Sequence, residues 1–198
     1  MYYDFIEIGT ADFDAIVHSS HIDSNGICVE PMIELLNKLP NKPNVKKLNY
    51  AMSDYVGETQ IYYVEKSLTT SHTDPHGWNC IESPHPKYKD NPESVSQRTV
   101  NVINFQKLVE LNDITGIGFL KVDTEGHDLV ILNDYIETCI KNKSLFAKKI
   151  KFESNKVAVQ RNMDNMNRDQ LNSVINKLTA NGYHIESKGH DTIAVKKG

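Results

Sequence analysis

The chain has 198 residues, of which 39% are hydrophobic and 24% are charged, so it can bury the core of one globular domain and is unlike a disordered or low-complexity polymer. Lysines and arginines number 22 against 26 aspartates and glutamates, and the net charge of −4 disfavours nucleic acid as a partner. Because the three cysteines form no disulfide or zinc pattern, and there is neither a signal-peptide pattern nor an apolar run long enough to span a membrane, we expect one soluble cytoplasmic domain over residues 1–198.

The first half of the chain alternates short apolar runs with segments of helical period, a pattern typical of βα units. The predicted strands are residues 3–8, 26–30, 45–50 and 59–64, and the predicted helices are residues 11–17 and the segment that follows Pro31. Pro31 suits the first position of a helix, because an N–H group there has no partner within the helix.

The segment 66–97 has no sustained periodicity. It contains four of the seven prolines, three histidines and the only tryptophan, Trp78. Loops of this length inside a compact domain are usually binding loops, lids or disordered. We expect a substrate lid in which His72, His76 and Trp78 line an acceptor pocket; a polar surface loop is the alternative.

The second half of the chain returns to the alternating pattern. Predicted strands lie at residues 99–103, 116–122 and 150–153, predicted helices at residues 105–111, 129–140 and 171–178, and a hairpin at residues 183–195. These elements predict an α/β fold with three layers: a doubly wound, mostly parallel seven-stranded sheet to which the C-terminal hairpin adds an antiparallel strand. Ligands of such sheets bind at the carboxyl ends of the strands.

Acidic residues follow the predicted strands at those ends. They are Glu7, Glu30, Asp54, Asp123, Glu125 and Glu153. Any one of them could simply cap a helix, but together they indicate an acidic binding edge.

The first of these loops argues against a dinucleotide. A dinucleotide fingerprint needs GxGxxG, whereas only Gly9 is present here, between the acids Glu7 and Asp12. Glu30 follows Gly9 by about 20 residues, as does a carboxylate that binds ribose hydroxyls. A ligand with a ribose and a cation but no phosphate fits this pattern, and S-adenosylmethionine is such a ligand.

Residues 119–132, FLKVDTEGHDLVIL, resemble the signature of the FkbM-type methyltransferases. Residues 4–9, residues 29–31, and residues 49–54 with Gly57 follow in the family's order, and residues 151–153 are similar to the end of its fifth strand. The resemblance implies a Rossmann-like class I methyltransferase fold that uses S-adenosylmethionine, commonly to methylate a hydroxyl of a sugar or another small metabolite.

The resemblance also implies roles for individual residues. Glu7, Gly9 and Thr10 would form the loop at the methionine side, Glu30 would hold the ribose, and Ser53 and Asp54 would lie near the adenine. Asp123 and Glu125 would face the reacting centre, and Pro31 and Asp123 would also contact the cofactor. Many relatives carry a second glycine where Asp12 and Phe13 stand here. A catalytically silent module that binds a nucleoside or a protein partner is therefore the alternative function.

Methylation of a hydroxyl requires a proton acceptor. The local candidates are Asp123, Glu125 and His127, with a surface or helix-capping position as the alternative for each. A divalent metal held by Asp123, Glu125 and Glu153 is a less favoured alternative, and zinc on His72, His76, Cys80 and His85 is less favoured still. Glu153 is also a candidate for substrate binding. Either the segment 66–97 or a second subunit would cover the cofactor.

Overall fold

A computed structural model describes residues 1–12, 14–65, 79–84, 92–154 and 165–197. Its strands are β1 (Tyr2–Ile8), β2 (Gly26–Val29), β3 (Val45–Leu48), β4 (Ala51–Met52), β5 (Gly57–Tyr63), β6 (Cys80–Ile81), β7 (Ser96–Ile103), β8 (Gly116–Val122), β9 (Lys149–Glu153), β10 (Tyr183–Lys188) and β11 (Asp191–Lys196). Its α-helices are α1 (Ile16–Ser19), α2 (Ile33–Lys38), α3 (Phe105–Asn112), α4 (Asp128–Lys141) and α5 (Asn165–Ala180). None of the helices within these ranges combines the length and the apolar character needed to cross a membrane.

Seven strands form a large sheet in the spatial order β3-β2-β1-β8-β9-β11-β10. The strands β3, β2, β1, β8 and β9 are parallel to one another. The predicted C-terminal hairpin is present, but its second strand, β11, lies between β9 and β10 and is antiparallel to both. The large sheet is therefore mixed, which corrects the prediction of a mostly parallel sheet.

Apolar side chains pack on both faces of the large sheet. On one face Ile6 and Leu120 belong to the largest core cluster, together with residues of α3, α4 and α5. On the other face Phe5 and Cys28 pack with residues of α1 and α2. Because helices cover both faces, the ends of the strands are the places where polar side chains can meet a ligand.

Four strands form a second, smaller sheet in the order β4-β7-β5-β6. The runs predicted as strands at residues 59–64 and 99–103 lie here, because β5 and β7 pair antiparallel with each other instead of joining the large sheet. Part of the predicted loop 66–97 also belongs to this sheet: Cys80–Ile81 forms β6, and β7 begins at Ser96.

The small sheet is held against α2 by apolar packing and by an ion pair. Ile61 and Tyr63 of β5 pack with Leu35. Arg98 of β7 donates to Glu34 of α2 at 2.7 Å and to the Tyr63 hydroxyl at 3.1 Å. This attachment places the small sheet beside the carboxyl ends of β1 and β2.

Candidate functional site

A cleft lies at the carboxyl ends of β1, β2 and β8, with the small sheet as its opposite wall. Its polar lining is Thr10, Asp14, Glu30, Asn79, Lys121, Asp123, Thr124, Glu125 and His127. Its other lining residues are Ile8, Gly9, Ala11, Val29, Pro31, Leu35, Tyr50, Ala51, Met52, Ile61 and Ile81. The cleft lies where the sheet grows from β1 in both directions, which is the position predicted for a ligand site.

Gly9 directly follows β1 and lies in close contact with the end of β8. Its φ is +77°, and a Cβ atom built on it would lie 1.9 Å from the carbonyl oxygen of Asp123. The Gly9 N–H donates to the Val29 carbonyl at 3.0 Å, and the Asp123 N–H donates to the Ile8 carbonyl at 2.9 Å. Only glycine fits this conformation and this approach, so the predicted glycine stands where the three strand ends meet.

Glu30 connects the first loop to the start of α2. Its Oε2 accepts from the Ala11 N–H at 3.0 Å, and its Oε1 accepts from the Met32 N–H at 2.9 Å. Ala11 has a φ of +44°, which is unusual for a residue other than glycine. Burial raises the pKa of Glu30 to about 7, although these backbone donors oppose the rise. Each carboxylate oxygen can accept more than one hydrogen bond, so Glu30 can also accept from a ligand hydroxyl.

Glu7 is fully buried beneath the first loop and is not among the lining residues of the cleft. Its neighbour in the β1–β8 register is Lys121, whose Nζ lies 2.9 Å from the Glu7 Oε1. The Glu7 Oε2 accepts from the Ile16 N–H at 2.6 Å, and the Lys121 Nζ donates to the Asp14 carbonyl at 2.9 Å. The pair therefore holds both ends of the segment that leads from the first loop into α1.

Burial opposes the charge of both partners in this pair. It raises the pKa of Glu7, although Lys121 opposes that rise. Burial also lowers the pKa of Lys121, but Glu7, Asp123 and Asp14 outweigh it and leave the lysine pKa raised. Each charge is therefore tolerated in the core only because of the other.

The loop between β8 and α4 carries Asp123 and Glu125 into the cleft. Asp128 holds this loop by accepting from the Thr124 N–H at 3.2 Å and from the Thr124 hydroxyl at 2.9 Å. It also accepts from the Glu153 N–H at 3.3 Å, which ties the loop to the end of β9. Burial raises the pKa of Asp128 to about 6. Asp128 belongs to the FkbM-like run at residues 119–132, but its role in holding this loop becomes visible only from these hydrogen bonds.

The cleft has an acidic lining. Its described lining residues include four acids, Asp14, Glu30, Asp123 and Glu125, against one lysine, Lys121. The Lys121 charge is already balanced by Glu7 beneath it. Burial raises the pKa of Asp123, and Lys121 opposes that rise. A phosphate here would be repelled by the carboxylates, whereas a cation would be attracted.

His127 reaches from the start of α4 to the small sheet. Its Nε2 lies 2.9 Å from the Ser53 Oγ, and the Ser53 hydroxyl donates a hydrogen bond to the Asp54 Oδ1 at 3.2 Å. Burial lowers the pKa of His127, although Glu82 and Asp54 oppose the change. His127 lines the cleft, whereas Ser53 and Asp54, which the resemblance places near the adenine, are not among its lining residues; Ser53 contacts His127, and Asp54 contacts Ser53.

The other residues named in the sequence analysis fall into three groups. Thr10 and Pro31 line the cleft, whereas Glu153 ends β9 without being a lining residue. His72, His76, Trp78, His85 and Phe13 lie outside the described residues.

Neither of the two metal sites considered from the sequence is supported by the described residues. No group of three or more His, Cys, Asp or Glu side chains within these ranges could hold a metal ion. Of the four zinc candidates only Cys80 is described; it is buried, and its thiol donates to the Glu125 carbonyl at 3.4 Å. Burial raises the pKa of Cys80 to about 12, so its thiol stays protonated at neutral pH.

Sequence reasoning missed Lys121, Ile61 and Ile81 as residues of the site. Lys121 carried a usable signal, because a lysine inside a central apolar strand must have an acidic partner. Ile61 and Ile81 carried none, because they reach the cleft only through the pairing of β5 with β6, and the two strands are distant in sequence.

The family model described as Methyltransferase FkbM domain matches residues 7–185. This range holds the first loop, Glu30 and the loop between β8 and α4, which together form the acidic side of the cleft. No curated protein and no solved structure matches the chain. The family match covers nearly the whole chain, and it agrees with the family that the sequence motifs indicated. The chain therefore belongs to the FkbM methyltransferase family.

Proposed function

We propose that this protein uses S-adenosylmethionine to methylate a hydroxyl group of a sugar or another small metabolite. The observation that carries the proposal is the acid-lined cleft at the carboxyl ends of β1, β2 and β8, with the buried carboxylate of Glu30 at its rim. Family membership supports methyl transfer, and the cleft supports the choice of methyl donor.

The cleft residues suit the parts of S-adenosylmethionine. Glu30 is able to accept hydrogen bonds from ribose hydroxyls. Tyr50 and Met52 supply apolar surface for the adenine ring. Asp123 and Glu125 supply negative charge for the sulfonium cation and the amino group. We place the methionine end beside Gly9 and Thr10. Because S-adenosylmethionine has no phosphate, the cleft needs no phosphate-binding residues.

The reaction requires alignment and a proton acceptor. When bound, S-adenosylmethionine supplies a methyl group to the substrate oxygen: a C–O bond forms, the C–S bond breaks, and its electron pair stays on sulfur as a neutral thioether. We assign the hydroxyl proton to His127, because a partly buried imidazole with a lowered pKa is neutral at pH 7 and can accept it. The charges of Glu82 and Asp54, which act on the ring, then stabilise the resulting imidazolium.

The acceptor side remains a prediction from the sequence. We assign it to His72, His76 and Trp78, together with Glu153 at the end of β9, because aromatic and polar side chains of this kind suit a polyhydroxylated substrate. The segment that carries the first three, or a second subunit, would cover the cofactor.

A second candidate is a catalytically silent module that binds a nucleoside or a protein partner. One observation favours it: both oxygens of Glu30 already accept from backbone N–H groups, and one of these belongs to Ala11 in the first loop. Both candidates predict binding of an adenosine-like ligand, so methyl transfer itself separates them.

The first experiment is calorimetry of the full chain with S-adenosylmethionine and with its demethylated product. We expect both to bind, and Glu30→Ala to weaken binding by about 10-fold or more, because it removes a buried hydrogen-bond acceptor. Glu110→Ala, an exposed acid on α3, is the matched control and leaves the affinity unchanged. Absence of binding at about 1 mM ligand contradicts the proposed function.

The second experiment is mass spectrometry of a metabolite pool incubated with the protein and the methyl donor. We expect a product heavier by one methylene unit. His127→Gln lowers its formation by about 100-fold or more while cofactor affinity is kept. Cofactor binding without any methylated product favours the silent module.

A further inference from the structure

Ser53 joins an acid to the histidine of the cleft. Its Oγ lies 2.9 Å from the His127 Nε2 and 3.2 Å from the Asp54 Oδ1. Ser53 is fully buried, and its N–H donates to the Ile103 carbonyl at the end of β7. The serine hydroxyl is therefore held in place by the small sheet, while the histidine belongs to the start of α4.

The hydroxyl of Ser53 has a single hydrogen to share between two neighbours. An ionised carboxylate is a stronger acceptor than a neutral imidazole nitrogen, so the hydrogen goes to Asp54. The Ser53 oxygen is then an acceptor, and the His127 Nε2 must be the donor. In neutral imidazole a hydrogen on Nε2 leaves the lone pair on Nδ1.

Nδ1 of His127 makes no hydrogen bond to the part of the chain that the structure describes, and His127 lines the cleft. Two acids act on the ring through space, Asp54 after β4 and Glu82 after β6. Of these, only Asp54 is linked to the ring through Ser53, so only Asp54 can control which nitrogen carries the hydrogen.

We propose that Ser53 and Asp54 are positioning residues that hold neutral His127 with its hydrogen on Nε2 and thereby make Nδ1 the proton acceptor of the cleft. This inference rests on the proposed function, which gives Nδ1 the substrate hydroxyl as its partner. The proton of that hydroxyl moves to Nδ1, and the imidazolium so formed keeps its Nε2–H bond to Ser53.

The order of the three residues excludes the chemistry of a hydrolase triad. In such a triad the carboxylate contacts the histidine and the serine is the nucleophile. Here the serine lies between the other two residues and is fully buried, so its oxygen cannot reach a substrate. The arrangement instead resembles the outer-shell contacts by which a hydrogen-bond partner selects the tautomer of a functional histidine.

The test is nuclear magnetic resonance of the full chain labelled with ¹⁵N, read from two-bond ¹⁵N–¹H correlations of the imidazoles at about pH 8, above the ~6.5 of a free imidazole. His127→Gln identifies the His127 signals by their loss. We expect the Nε2–H tautomer in the unmodified protein. Asp54→Ala frees the Ser53 hydrogen for Nε2, so we expect this exposed substitution to reverse the tautomer to Nδ1–H.

Two further variants separate the effect of the Ser53–Asp54 hydrogen bond from the effect of nearby negative charge. Asp54→Asn keeps an acceptor oxygen and is expected to restore the Nε2–H tautomer. Glu82→Gln removes a nearby charge without touching Ser53, so it lowers the pKa of His127 and leaves the tautomer unchanged. Two results overturn the inference: an Nδ1–H tautomer in the unmodified protein, or an Nε2–H tautomer that persists in Asp54→Ala.

Turnover gives an independent readout. With an acceptor from the metabolite screen, Asp54→Ala is expected to lower kcat by about 10-fold at unchanged KM, and Asp54→Asn to recover most of it. Unchanged kcat after a reversed tautomer overturns the role of Nδ1 as the base. The tautomer is measured on the protein without substrate or cofactor. Failure of cofactor binding therefore refutes the proposed function without deciding the tautomer.

Discussion

Gly9 is the residue on which the junction of the three strand ends depends. Its Cα faces the carbonyl of Asp123 so closely that any side chain would enter the backbone directly after β8. The sequence predicted a glycine turn here from its position after an apolar strand. The contact with Asp123 could not be predicted, because it joins residues more than a hundred positions apart.

Gly9→Ala is expected to destabilise the protein by about 3 kcal/mol or more, since the 1.9 Å approach to Asp123 adds to the strain of a positive φ. Gly182→Ala is the matched control: its φ of +82° is similar, but a Cβ there meets nothing within 4 Å. The control is expected to cost about 1 kcal/mol. Urea unfolding of both variants measures the difference, and equal losses would mean that the close approach is unimportant.

Glu30 makes stability depend on pH. Its pKa is about 7 in the folded protein against 4.5 when exposed, so between these values the folded state holds a proton that the unfolded state has lost. Stability therefore falls as pH rises through this window, by about 3 kcal/mol from this group.

Glu30→Gln is expected to remove that decline. The difference in unfolding free energy between variant and unmodified protein should move by about 3 kcal/mol in favour of the variant from pH 4.5 to pH 8. Urea titrations across this range measure it. Asp128, with a pKa raised to about 6, contributes the same slope to both proteins and cancels. Parallel curves would show that the Glu30 carboxylate is not buried.

At the scale of elements, β1 and β8 are joined by the Glu7–Lys121 ion pair inside the core. Lys121→Met is expected to cost about 3–5 kcal/mol, because it leaves the Glu7 charge buried without its partner. Glu7→Gln combined with Lys121→Met should recover part of this loss. Lys151→Met is the control: it breaks the more exposed pair with Asp191 and is expected to cost less than about 1 kcal/mol.

A double-mutant cycle on the denaturation curves measures the coupling of Glu7 with Lys121. Losses that simply add would show that the two charges are stabilised independently.

The small sheet shows that the sequence can predict a strand without predicting which strand it pairs with. The runs at residues 59–64 and 99–103 have the alternating pattern of strands, and both are strands in the structure. Their pairing with each other is not encoded in that pattern, because alternation defines two faces but no partner. The docking of Arg98 on Glu34 then decides that this sheet becomes a wall of the cleft.

At the scale of the whole molecule, the negative charge is unevenly distributed, because the described lining of one cleft holds four acids and a single lysine that is already paired. The cationic methyl donor should therefore gain affinity over its uncharged-sulfur product from electrostatics. We expect the ratio of the two affinities to fall by roughly 2- to 10-fold from low salt to about 1 M, where the Debye length is ~3 Å. Calorimetry at several salt concentrations measures this, with adenosine as the uncharged control. A constant ratio would mean that the acids do not act on the sulfonium.

The alternation of strands and helices, the acids at strand ends, and the motif around Asp123 and Glu125 that identifies the family could all be read from the amino-acid sequence. These are local properties, because they depend on periodicity and on residues close together in the chain. Tertiary structure alone decided that Glu7 is buried against Lys121, that β11 lies antiparallel inside the large sheet, and that Ser53 contacts His127. Each of these joins residues far apart in sequence, and only packing of the whole chain selects such partners.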